Sequence, residues 1–213
     1  MATATLPTSL TSVPTSTMEP SPVLSRPDDV LYEVVDGQIV ELPPMGVYET
    51  DIANLLAEAL NQLARKNRLG RAFVELLFRI DVVRNLKRRP DLAFVSRSRW
   101  PFGKRVPDAE AWDMVPDLAV EVVSDSNGAN EIIVKVNDYF RTGSRLVWVV
   151  YPVVRQVYVY HSATNVRILA EQDDLDGGEV IAGFRLPLRR LFEDEPDADP
   201  ATPTVAENGS PVP

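Results

Sequence analysis

The run V-P-D-L-A-V-E-V-V-S-D at residues 115–125 constrains the fold more than any other stretch of this chain. Its centre, residues 118–123, is apolar and rich in valine, the composition of a strand covered on both faces. That implies a layered domain with a buried sheet. Glu121 interrupts the apolar run. A lone carboxylate in such a place loses its hydration and must be neutralised by a proton, a cationic partner or a metal ion. Two readings stand here: a functional carboxylate, or one member of a structural ion pair.

The flanking segments supply the other layers. Residues 32–42, Y-E-V-V-D-G-Q-I-V-E-L, read as two short strands around an Asp36-Gly37 turn, closed off by Pro43-Pro44. A helix follows over residues 47–68, stopped by Gly70, with Ile52, Leu55, Leu56, Ala59, Leu60 and Leu63 on one stripe. Glu49 projects into that stripe. It reads either as an acid favouring the helix dipole or as a carboxylate aimed at whatever lies under the helix terminus. Residues 71–83 form a strand candidate, followed by basic N-L-K-R-R and a short strand over residues 90–95. A long loop with Trp100, Phe102 and Trp112 leads to the central strand.

After a turn at residues 124–128, residues 129–141 read as a helix ended by Gly143. Ile132, Ile133, Val136, Tyr139 and Phe140 define its buried face, with Lys135 on the edge. Glu131, four residues before Lys135, offers a purely structural helix pair for it. Residues 146–151 read as another buried strand, residues 156–161 and 166–171 as a hairpin, and residues 179–192 as a final strand or short helix. The order α-β-β-β-α-β inside antiparallel additions predicts a mixed α/β sheet flanked by helices, with an N-terminal hairpin.

Composition narrows the chemistry. The chain has no cysteine and His161 is its one histidine, so thiolate chemistry is excluded and any metal site is built mainly from oxygen ligands. The absence of cysteine also fits a reducing compartment. No apolar run approaches the roughly 20 residues of a membrane span, and residues 1–25 lack the layout of a secretory signal, so the expected location is the cytoplasm. Those first 25 residues read as a disordered arm and residues 196–213 as a disordered tail, leaving residues 26–195 as one domain.

The net charge of −9 argues against a nucleic-acid binder, but its distribution argues the other way. Residues 84–105 carry Arg84, Lys87, Arg88, Arg89, Arg97, Arg99, Lys104 and Arg105 against a single acid, Asp91. Such a patch is either a phosphate footprint or a solvated basic loop.

The tetrapeptide P-D-L-A occurs twice, at residues 90–93 and 116–119. An Asp opens one strand, a Glu sits inside the next, and a Lys follows. This resembles the PD-(D/E)XK nuclease superfamily, the restriction-endonuclease-like fold. More closely, it is similar to the Uma-two family of bacterial endonucleases. The hairpin D-G with P-P after it, R-P-D-L-A-F-V, P-D-L-A-V-E-V-V-S, K-V-N-D-Y-F-R-T-G and V-W-V-V-Y-P carry the match, over about residues 30–185. The resemblance implies Asp91 as the first catalytic acid and Glu121 as the second. The usual lysine position, two residues after the glutamate, holds Val123 here, and Lys135 matches the lysine this family uses instead. Glu49 stands where many members carry a histidine, which leaves its role open.

Asp117 lies nearer to Glu121 in sequence but four residues along the same strand, about 13 Å away at strand rise. Asp91, on a neighbouring strand, can come within one strand spacing. The expected site is therefore Asp91 and Glu121, with the backbone carbonyl of Val122, holding Mg²⁺ or Mn²⁺ beside Lys135. The implied function is a metal-dependent endonuclease acting on DNA phosphodiester bonds, with Arg84, Lys87, Arg88 and Arg89 gripping phosphates. Cutting both strands would favour a homodimer. The alternative is a catalytically inactive nucleic-acid-binding or accessory protein that retains the fold. A third reading makes Asp91, Glu121 and Lys135 a buried ion network in a structural domain.

Overall fold

The central run becomes the middle of a six-stranded sheet because both of its faces are covered. The computed structural model describes residues 30–124 and 128–193. The disordered arm and tail expected from the sequence, and the middle of the 124–128 turn, lie outside these residues. The elements are β1 (Tyr32–Val35), β2 (Gln38–Glu41), α1 (Val47–Asn67), β3 (Gly70–Val74), β4 (Phe78–Asp81), β5 (Leu86–Arg88), β6 (Leu92–Ser96), β7 (Leu118–Val122), α2 (Ala129–Thr142), β8 (Leu146–Tyr151), β9 (Gln156–Ser162), β10 (Asn165–Ala170), β11 (Asp174–Asp176), β12 (Arg185–Pro187) and α3 (Arg189–Phe192).

The main sheet runs β10-β9-β8-β7-β6-β3. Only the β7–β8 pair is parallel, and α2 provides its crossover. Alternation along the strands assigns the two faces. Leu92, Phe94, Leu118, Val120, Leu146 and Trp148 face α1 and the C-terminal β12–α3 segment. Ala93, Val95, Ala119, Val147 and Val149 face α2, together with Phe78, Trp112 and Tyr139. Glu121, in phase with the second set, points toward α2.

A four-stranded sheet, β2-β1-β5-β4, forms separately, and β11 pairs with β12. The Asp36-Gly37 turn fits its sequence signal: both residues have positive φ, 49° and 76°, as a two-residue hairpin turn requires.

Four local expectations are corrected. The single strand expected over residues 71–83 is two strands in different sheets, because Glu75 takes a left-handed conformation, φ 49°, and turns the chain out of the main sheet. The basic segment contains β5, which a left-handed Asn85 joins to β4 as a hairpin. Arg68, with φ 53°, rather than Gly70, ends α1. Gly70 instead opens β3, where a Cβ would lie 2.3 Å from the Val95 carbonyl oxygen. On α2, Ile133 is 48% exposed, and the buried positions are Ile132, Lys135, Val136, Asp138 and Tyr139. The helix is rotated so that two of its charged side chains face inward, where ionic partners await them.

Candidate active site

Strand register brings the first two acids together. Leu92 pairs with Val120 in the antiparallel β6–β7 ladder, so Asp91, one residue outward, falls opposite Glu121. Asp91 Oδ2 accepts the Val122 N–H at 2.6 Å, which fixes its carboxyl against β7. Glu121 is buried inside the sheet and meets two residues of α2. Its Oε2 accepts from Lys135 Nζ at 3.0 Å and its Oε1 from the Tyr139 hydroxyl at 2.7 Å. Lys135 and Tyr139 are four residues apart, one turn of the same helix face, so one rigid element delivers both.

A cavity of about 230 Å³ opens onto these groups. Asp91, Glu121, Val122 and Lys135 line it, with the Pro43-Pro44-Met45 segment, Glu49, Arg89 and Ser124 around them. Glu49 in the first turn of α1 folds back over Gly46, where a Cβ would clash with its carboxylate. It therefore sits both at its own helix terminus and on the cavity wall. A larger groove, about 610 Å³, runs between α1 and the β12–α3 segment. Its charged residues, including Glu58, Lys66 and Arg190, are exposed, so it holds no desolvated chemistry and is not the site.

The electrostatics of the smaller cavity lean negative. Burial, then the neighbouring Glu121 charge, push the Asp91 carboxyl from 3.8 up to about 8. Burial also raises Glu121, opposed by Lys135. Burial alone would lower the Lys135 ammonium, but the Glu121 and Glu33 carboxylates reverse this and hold it above the ordinary lysine value. Tyr139 is raised by burial and by the same two acids, so it stays a hydroxyl donor. Two buried carboxylates side by side fit a hard divalent cation, whose charge would offset both shifts. Among the described residues no group of three or more His, Cys, Asp or Glu is placed to hold a metal ion. Two protein carboxylates with the remaining positions left to water is a donor set that suits Mg²⁺ or Mn²⁺.

The other expected residues separate. Arg88, expected as a phosphate contact, is buried: its guanidinium bridges Glu33 at 2.6 Å and Asp138 at 2.5 Å. That assignment is corrected, since a side chain enclosed between two carboxylates does not face a ligand. Arg89 is partly buried and donates to the Glu75 carbonyl at 2.6 Å, while its own N–H reaches Glu33. Lys87 lies over the Tyr32 ring and 3.8 Å from Glu110. Of the four, Arg84 alone is exposed. Trp100 packs edge-on against Trp112, 5.0 Å between centroids, and donates to the Lys104 carbonyl.

Sequence reasoning missed Glu33. This acid in β1 is 1% exposed, accepts from Arg88 and from the Arg89 N–H, and lies 3.5 Å from Lys135 Nζ. The available signal was the one that exposed Glu121, a carboxylate inside an apolar strand. It was weaker because Y-E-V-V at a hairpin also reads as a strand with one wet face. Asp138 carried no signal, since an acid on a helix is ordinarily solvated.

Comparison with known proteins extends this picture. The Uma2 family model, described as "Putative restriction endonuclease", matches residues 18–189. None of the curated proteins matches the chain. Among solved structures, a "putative nuclease belonging to DUF820" from Anabaena variabilis ATCC 29413 superposes with a TM-score of 0.67. The match covers 76% of this chain and 89% of that one at 19% identity, a likeness of fold.

Proposed function

Since this chain belongs to the Uma2 family, we propose that it is a metal-dependent endonuclease that hydrolyses DNA phosphodiester bonds. The observation that carries the reading is the convergence on one cavity of Asp91, just before β6, Glu121 of β7 and Lys135 of α2. Asp91 and Glu121, with the Val122 carbonyl, are the groups that would hold Mg²⁺ or Mn²⁺. The cation would polarise a phosphoryl oxygen and lower the pKa of an attacking water.

The residues of the chain do the rest. Glu121 is oriented by Tyr139 and Lys135, so its remaining lone pairs face the cavity in a set direction. Lys135 keeps its proton, because two buried acids stabilise the ammonium. It would act as a positive charge beside the phosphate and the developing alkoxide. Arg89, on the cavity wall, is the cation best placed to meet an entering phosphate. Exposed Arg84 supplies the longer-range attraction that a chain of net charge −9 needs locally.

Cleavage of supercoiled plasmid, with Mg²⁺ or Mn²⁺ and with chelator as control, tests the proposal. The wild type is expected to nick or linearise the plasmid. Glu121→Ala is expected to lose about 10²–10³-fold in rate, while circular dichroism shows it folded. A wild type that cuts no duplex or single-stranded DNA and takes up no Mn²⁺ by calorimetry defeats the enzyme reading. It would leave an accessory protein that has kept the fold.

A further inference from the structure

Lysine in this site comes from α2, the helix packed beside the strand that carries Glu121. Its flexible four-carbon stem does not by itself fix the ammonium, which needs support from its surroundings. The ions behind Lys135 are arranged as that support. Its Nζ lies 3.0 Å from Glu121 Oε2 and 3.5 Å from Glu33 Oε1. Glu33 is itself held on two further sides. Its Oε2 accepts from Arg88 at 2.6 Å and its Oε1 from the Arg89 N–H at 2.9 Å. Arg88 in turn grips Asp138, three residues after Lys135 on the same helix. Glu33, Arg88, Lys135 and Asp138 are all buried.

We propose that Glu33 is the positioning residue for Lys135, and that the Glu33–Arg88–Asp138 clamp aims the lysine at Glu121. This rests on the nuclease reading for its effect on rate, though not for its geometry. Glu33 comes from the N-terminal hairpin, whose strands belong to the four-stranded sheet, so the hairpin contributes to a site built on the other sheet. Glu33 and Glu121 divide the ammonium between them. With Glu33 neutral, the ammonium either leans fully on Glu121, where it opposes a cation, or drifts toward the cavity and water.

The test uses Glu33→Gln, which keeps shape and removes charge, and Glu33→Gln/Arg88→Gln, which removes one buried charge of each sign. Two readouts are needed. The first is plasmid cleavage with kcat and KM separated. Both variants are expected to lose about 10–100-fold in kcat, the usual effect of removing a group that orients a ligand or catalytic side chain, with KM for DNA within about twofold.

The second readout needs no activity: the side-chain ammonium resonance of Lys135 in ¹⁵N-labelled full-length protein, assigned by its absence in Lys135→Arg. A buried, doubly paired ammonium is shielded from water and gives a resolved signal. In both variants that signal is expected to shift or broaden away. An unchanged resonance in either folded variant overturns the proposal. So does restored kcat in the double variant, which would reduce Glu33 to charge balance. If the wild type cuts nothing, the nuclease reading falls, and the resonance alone still decides whether Glu33 holds Lys135.

Discussion

The two P-D-L-A segments begin neighbouring strands, yet their aspartates do opposite things. Because β6 and β7 are antiparallel, residues that open them land at opposite ends of the sheet. Asp117 is buried and saturated: Oδ2 accepts the Ser96 N–H at 2.8 Å, and Oδ1 meets Arg99 at 3.0 Å and Arg145 at 3.7 Å. Asp91 accepts the Val122 N–H, and its charge is disfavoured by burial and by two further acids, Glu121 and Glu75, with Lys135 opposing them. One aspartate is satisfied by the protein. The other is left wanting a cation. Identical tetrapeptides thus separate into a structural pin and a candidate ligand according to which end of the sheet each reaches.

The contrast is sharpest in stability. Asp117→Ala takes the carboxylate from Arg99 and Arg145 and leaves the buried Ser96 N–H unpaired, so it is expected to cost about 1–3 kcal/mol. A urea midpoint measured with and without the substitution checks this. If Asp117→Ala unfolds at the wild-type midpoint, Asp117 is no pin and the comparison collapses.

Asp91→Asn should behave in the reverse way. The amide oxygen still accepts the Val122 N–H, and the carboxyl that burial and Glu121 disfavour is gone. Stability at pH 8.5 is expected to match or exceed that of the wild type, while cleavage falls about 10²-fold or more, as for loss of a group stabilising transition-state charge. Full activity in this variant would remove Asp91 from the site.

The smallest expected effect is a pH slope. Folded Asp91 titrates near 8 and unfolded near 3.8, so between those values the folded state binds more protons. Stability of the metal-free protein from this group therefore falls as pH rises through that window. Saturating Mn²⁺ is expected to oppose the fall, because a bound cation keeps the carboxylate ionised, and Asp91→Asn is expected to remove the contribution. Thermal unfolding from pH 5 to 9 with and without Mn²⁺ reads it. An identical slope in wild type and Asp91→Asn would show that Asp91 does not titrate there.

Much of this was legible before any coordinates. The buried central strand followed from its valines, the hairpin from Asp36-Gly37, and the end of α2 from Gly143. Strand rise alone separated Asp117 from Glu121. Other features left no trace in one dimension. Residues 71–83 carry one apolar pattern but change sheets at Glu75, because the left-handed turn, φ 49°, falls on a glutamate rather than on the glycine or asparagine that would announce it. Arg88 reads as one more cation in a basic run, and only the approach of Glu33 and Asp138 makes its burial tolerable.

The sequence by itself determined that Glu121 had to be neutralised, because a carboxylate within an apolar strand has no other stable state. Which groups surround it was decided by tertiary structure. Antiparallel pairing set Asp91 rather than Asp117 opposite it, and the rotation of α2 turned Lys135 from the edge of its buried face inward. The N-terminal hairpin, docked through Arg88, added Glu33. These are contacts between segments far apart in the chain, fixed by sheet register and helix packing, and no local pattern records them.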